Sequence, residues 1–198
     1  MMRTDSAVAG LSLLLVTGIL GCENQALTGA HSQAQVQQAQ REERWADHFD
    51  AAVGYEARGQ FDLAKDEYRQ AIRERPDDSR AYVNLGRLHA REGDEVRAQA
   101  LWQKAIEVNP GDALGYNLLG GVSMRQKKYS AAIAYYKSAV DRDPNYANSH
   151  WNLAAVYRSL EMKQKAGEHY RRFIELAGPE EAEDMAEAKR YVEALDQK

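Results

Sequence analysis

One cysteine, four prolines and three phenylalanines in 198 residues close off several ordinary designs. A lone Cys22 permits no intrachain disulfide and no metal site built from several cysteines. Scarce proline, with turn signals confined to short junctions, argues against an all-β chain cut into many strands. A net charge of −4 provides no basic excess to hold nucleic acid or an anionic membrane surface. No glycine-rich loop follows a strand pattern, and no serine lies in a Gly-x-Ser-x-Gly context. The five histidines, His31, His48, His89, His150 and His169, share no ligand spacing on one helix face. Neither a cofactor, a metal, a small-molecule substrate nor an enzymatic activity is therefore expected.

What the chain does have is a beat. Pro76, Pro110 and Pro144 stand 34 residues apart. Ala64, Ala98, Ala132 and Ala166 keep the same interval. So do Tyr68, Trp102, Tyr136 and Tyr170, and the small residues Ala52, Gly86, Gly120 and Ala154. A fixed period of this size marks stacked units, each burying its apolar face only against its neighbours. Aligned on the prolines, the units are 45–78, 79–112, 113–146 and 147–178. Each is predicted to hold two helices of about 14 residues joined by a two-residue turn such as Gly93-Asp94. Asp77-Asp78-Ser79 and Gly111-Asp112 are expected to start helices. Gly120-Gly121, mid-helix, is read as a close-packing site. The stretch 179–198 is predicted to be a capping helix with an apolar stripe of Ala182, Met185, Ala186, Val192 and Leu195.

The residues at these positions resemble the tetratricopeptide repeat. Its pattern is met by Tyr82, Leu85, Gly86, Ala98, Trp102, Ala105 and Pro110, and again by Tyr116, Leu119, Gly120, Ala132, Tyr136, Ala139 and Pro144. Departures are His48 and His150 for a large aromatic, His89 and Ser123 for a second bulky residue, and Ile174 for alanine in the last unit. The resemblance implies an all-α, right-handed helical-repeat solenoid of about four units plus a carboxy-terminal cap. His48, His89 and His150 then hold packing positions.

The amino terminus stands outside the beat. An uncharged, largely apolar run from Ser6 to Gly21 follows Arg3 and is short for a membrane span, which needs roughly 20 apolar residues. It ends in Ile19-Leu20-Gly21-Cys22, which resembles the lipobox of bacterial lipoproteins. That resemblance implies a signal peptide over 1–21, a lipid anchor on Cys22 and an envelope location facing the periplasm or the extracytoplasmic surface. Glu23, where aspartate would retain a lipoprotein at the inner membrane, favours the outer membrane. The competing reading is an ordinary cleaved signal, an unmodified Cys22 and a soluble periplasmic adaptor or accessory subunit. Residues 22–44 form a Gln- and Ala-rich connection, read as a tether to about residue 31 and a helical extension beyond it.

In the family the first helix of each pair lines a concave groove. Carried onto this chain, the groove residues are Arg80, Asn84, Arg87 and Arg91 in the second unit, Asn117 and Arg125 in the third, and Trp151, Asn152 and Arg158 in the fourth. Val83, Met124 and Asn148 lie among them, and Phe49, Val53 and Glu56 hold the first unit's places. Five arginines against one glutamate suit an acidic or extended peptide, because guanidinium and amide groups bond carboxylate and backbone directionally. The alternative is that these arginines are merely solvated. The family's carboxylate clamp is not matched, since its first-unit lysine and asparagine fall at Phe49 and Val53. The expected role is a scaffold or adaptor that binds a protein or peptide and supports assembly of an envelope complex.

Overall fold

A computed structural model describes the backbone of residues 9–197 and the side chains of residues 33–197. Met1–Val8 and the side chain of Cys22, on which the signal-peptide and lipidation expectations rest, lie outside the described residues. Among those residues there is no strand. The elements are α1 (Ala9–Ala57), α2 (Phe61–Glu74), α3 (Ser79–Arg91), α4 (Glu95–Val108), α5 (Ala113–Arg125), α6 (Tyr129–Arg142), α7 (Ala147–Ser159), α8 (Lys163–Leu176) and α9 (Ala182–Asp196). The stretch expected as a tether runs within α1, continuous with the Gln-rich helical extension after it. Among the described residues no helix is long and apolar enough to cross a membrane.

Four helix pairs follow one another: the end of α1 with α2, α3 with α4, α5 with α6, and α7 with α8. Each second helix packs on the first helix of the next pair, and α9 closes the array against α8. This is a helical-repeat solenoid. Three of its helix starts, those of α3, α4 and α5, are set by short acidic side chains. Asp78, Asp94 and Asp112 accept hydrogen bonds from the backbone N–H of Arg80, Arg97 and Gly115 at 3.0, 3.1 and 2.9 Å. Each such cap contributes about 1 kcal/mol. The turns inside the pairs are three residues long, one more than expected, and each contains a left-handed residue. These are Gly59, Gly93, Lys127 and Glu161, with φ of 72°, 83°, 56° and 57°.

The core repeats with the sequence. Ala64, Ala98, Ala132 and Ala166 are fully buried, as are Ala71, Ala105 and Ala139. Small residues there let the helix axes approach, and the aromatic one turn along fills the remaining gap. A Cβ on Gly86 would come within 2.5 Å of the Trp102 ring, and one on Gly120 within 2.5 Å of the Tyr136 ring. Gly121 differs from its neighbour. A Cβ there would meet only the Arg125 guanidinium at 3.7 Å and the Tyr136 hydroxyl at 3.8 Å, so close packing accounts for Gly120 alone.

The last unit departs from the expectation in two ways. The side chain in register with Ala71, Ala105 and Ala139 is Phe173 rather than Ile174, and it is fully buried. Its ring lies 5.1 Å from that of Trp151. On α9, Ala182 and Ala186 are exposed, while Ala188 is fully buried, Met185, Tyr191 and Val192 pack in the same cluster, and Leu195 meets Gly167. The face that docks is rotated from the predicted stripe because α9 meets α8 through Gly167, where the Leu195 side chain fills the space of a missing Cβ.

Candidate functional site

The residues expected to line the groove stand on α1, α3, α5 and α7, whose register the repeat fixes. Three of the five arginines are already engaged with carboxylates. The Arg80 guanidinium donates to both carboxylate oxygens of Asp78, at 3.0 and 2.6 Å, and stacks over Trp45 at 4.4 Å. Burial works to raise the Asp78 carboxyl, but the Arg80 side chain and backbone N–H hold it below the usual carboxylate range. Arg125 donates to Glu95 on α4 at 2.6 Å, and Arg158 to Glu187 on α9. These carboxylates come from other elements, so the count along the first helices missed them.

Arg87 and Arg91 are the two that no carboxylate holds among the described residues. Both line an open cleft of about 450 Å³ with Val53, Glu56 and Ala57 of α1, Tyr68 of α2 and Asn84 of α3. Arg87 donates to the Asn84 side-chain oxygen at 3.5 Å. The face of Arg91 lies 3.9 Å from the Phe61 ring centroid, which leaves the N–H edge of its guanidinium free. Across the cleft the Tyr68 hydroxyl donates to Glu56 at 3.1 Å. Burial, and then the neighbouring Glu56 charge, push the Tyr68 phenol well up, so it remains a donor.

Of the remaining expected residues, Asn117 on α5 and Asn152 on α7 bond to each other. The Asn117 oxygen accepts from Ser149 at 3.3 Å and from Asn152 at 3.0 Å, joining α5 to α7. Asn117 is buried and Asn152 half-buried. Trp151 is half-buried with its ring 5.3 Å from Tyr170, and Phe49 stacks on Trp45 at 5.0 Å. The structure thus brings Val53, Glu56, Asn84, Arg87 and Arg91 into one cleft and places Arg80, Asn117, Arg125, Trp151, Asn152 and Arg158 in internal contacts. Among the described residues no group of three or more His, Cys, Asp or Glu side chains could hold a metal ion.

Two histidine contacts were not read from the sequence. His150 Nε2 donates to the Pro144 carbonyl at 3.1 Å, as the Tyr82 hydroxyl does to that of Pro76. That bond leaves His150 Nδ1 as an acceptor facing His169 Nδ1 at 3.2 Å. Burial pushes both imidazoles down, and the His150 charge also acts on His169. His48 Nδ1 lies 2.6 Å from Glu67. The pairs are 19 residues apart, a separation that joins the two helices of one unit and would have flagged both.

Paired helices stacked in order and a 34-residue beat define a tetratricopeptide-repeat solenoid, a class of protein-interaction scaffold. The chain belongs to the family of the cilia and flagella-associated protein 70 middle TPR-like domain, which matches residues 49–177. No curated protein sequence matches it. Among solved structures, PilF of Pseudomonas aeruginosa superposes with a TM-score of 0.65 at 23% identity, over 79% of this chain and 77% of that one. YrrB, described as a TPR protein with an unusual peptide-binding site, gives 0.57 at 20% identity, over 72% and 73%. The first TPR of Spaghetti (RPAP3), bound to the HSP90 peptide SRMEEVD, gives 0.55 at 18% identity, over 60% and 94%. At these identities the likeness establishes the fold.

Proposed function

We propose that this chain is a lipid-anchored scaffold of the bacterial cell envelope that binds a protein or peptide partner through its concave face and performs no chemistry. The observation that carries the binding role is the open cleft holding Arg87, Arg91 and Asn84, whose polar edges are turned to a free surface. Peptide binding by YrrB and by the first TPR of Spaghetti is consistent with that use of the fold. The anchoring rests on the apolar run that ends at Cys22, and the outer-membrane preference on Glu23. Two or three acyl chains hold a protein stably on a bilayer, because each buried methylene contributes about 0.8 kcal/mol. The partner is an acidic or extended segment of an envelope assembly.

Metabolic palmitate labelling of wild type and Cys22→Ser tests the anchor. Label on the wild type alone, with the variant released from membranes, is expected; equal labelling of both removes the anchor and leaves a soluble adaptor. Crosslinking and purification of the anchored protein then identifies the partner. A partner list unaltered by replacing Arg87 and Arg91 with Ala would return those side chains to a solvated role.

A further inference from the structure

Of the five arginines expected in the groove, the structure pairs Arg80, Arg125 and Arg158 with carboxylates of the same chain and leaves Arg87 and Arg91 without one. Those two are four residues apart on α3 and open into one cleft. Like charges at this spacing repel along a helix, and no carboxylate among the described residues offsets that repulsion. Their positions along α3 differ by a rise of about 6 Å. In an extended chain, alternate side chains point to one side and are about 6.5–7 Å apart. The two spacings match.

Resting on the concave-face reading above, we infer that the cleft selects an extended peptide carrying two acidic side chains separated by one residue, laid along α3 with one carboxylate on Arg87 and the other on Arg91. Asn84 stands one turn before Arg87 and offers an amide to the peptide backbone. Arg91 is held by its face on Phe61, which orients its N–H edge at little entropic cost. Glu56 sets the polarity of the site. It is fixed on the opposite wall by the Tyr68 hydroxyl and repels an acidic side chain on that side. The residue between the two acids therefore has to be uncharged or basic. The cleft reads an acid–x–acid pattern, and Glu56 rejects a continuous acidic run.

The test is to pan the full chain against a phage-displayed library of random dodecapeptides and then measure selected synthetic peptides by fluorescence anisotropy. Enrichment of acid–x–acid sequences is expected. Their affinity should fall about tenfold or more with Arg87→Ala/Arg91→Ala, and fall again at high salt. Replacing either peptide acid by its amide should cost a similar factor. Glu56→Gln should bind acidic-run peptides several-fold more tightly than wild type does. These are exposed or half-exposed positions, and thermal melts check that each variant is folded. Selected peptides that lack the acidic pair, yet protect α3, α5 and α7 amides from exchange, overturn this inference and leave the concave-face reading intact. Peptides indifferent to the arginines that protect no first-helix amides, or no enrichment at all, overturn both.

Discussion

Gly120 and Gly121 are adjacent, chemically identical and under opposite constraints. Alanine at 120 must push the Tyr136 ring, whose nearest carbon lies 2.5 Å from the new Cβ, and overpacking of that kind costs about 1–3 kcal/mol. Alanine at 121 meets nothing closer than 3.7 Å and removes a mid-helix glycine, so it should stabilise by about 0.5–1 kcal/mol. Urea unfolding of the two variants is expected to move the midpoint in opposite directions. A loss of stability in both would mean that α5 needs the bare backbone at 121 as well. The small residue at 120 was legible from its beat with Ala52, Gly86 and Ala154, and the same beat sets 121 apart, in register with Val53 and Arg87. The left-handed turn position shows where such legibility ends. Gly59 and Gly93 announce it, but Lys127 and Glu161 keep the geometry without the signal, because the packed pair imposes the turn on whatever residue stands there.

At the scale of elements, α7 and α8 are joined by the His150–His169 contact. Burial depresses both imidazoles, so the folded state binds fewer protons than the unfolded one. Their contribution is complete above the ordinary histidine value of 6.5 and is lost as pH falls below it towards the depressed folded values. Around them Arg172, Glu175, Glu168 and Lys137 also act, the two cations adding to the depression and the two acids opposing it. The melting temperature should therefore drop between about pH 7.5 and about pH 5.5, and the drop should shrink in His150→Gln/His169→Gln. Some will remain, since burial depresses His89 too. An undiminished drop in the double variant would assign acid sensitivity elsewhere. His150 could be placed at a packing position from register. Its facing of His169 depends on how two helices are rotated against each other, which no spacing along one helix reveals.

For the whole molecule, stability is passed from neighbour to neighbour, and the end needs a cover. Removing 179–198 uncovers Tyr170 and the gap at Gly167, and forfeits the burial of Ala188, Tyr191 and Leu195. At about 1.5–3 kcal/mol for each large side chain, that loss should loosen the last unit first. Hydrogen exchange of the truncated chain is expected to show α7 and α8 unprotected while α3 and α4 remain protected. Uniform loss along the array would instead show one indivisible cooperative unit. The cap also holds Arg158 through Glu187, so the same truncation should free a groove cation.

The 34-residue period determined by itself that the chain is an all-α repeat array, how many units it has and which small and aromatic residues meet, since those contacts are set by register within a unit. Only the tertiary structure decided which arginines are free. Arg125 and Arg158 are paired with Glu95 and Glu187, carboxylates 30 and 29 residues away on different helices. Register predicts where a side chain stands along its own helix, but pairing depends on what the neighbouring helix brings within about 3 Å of it.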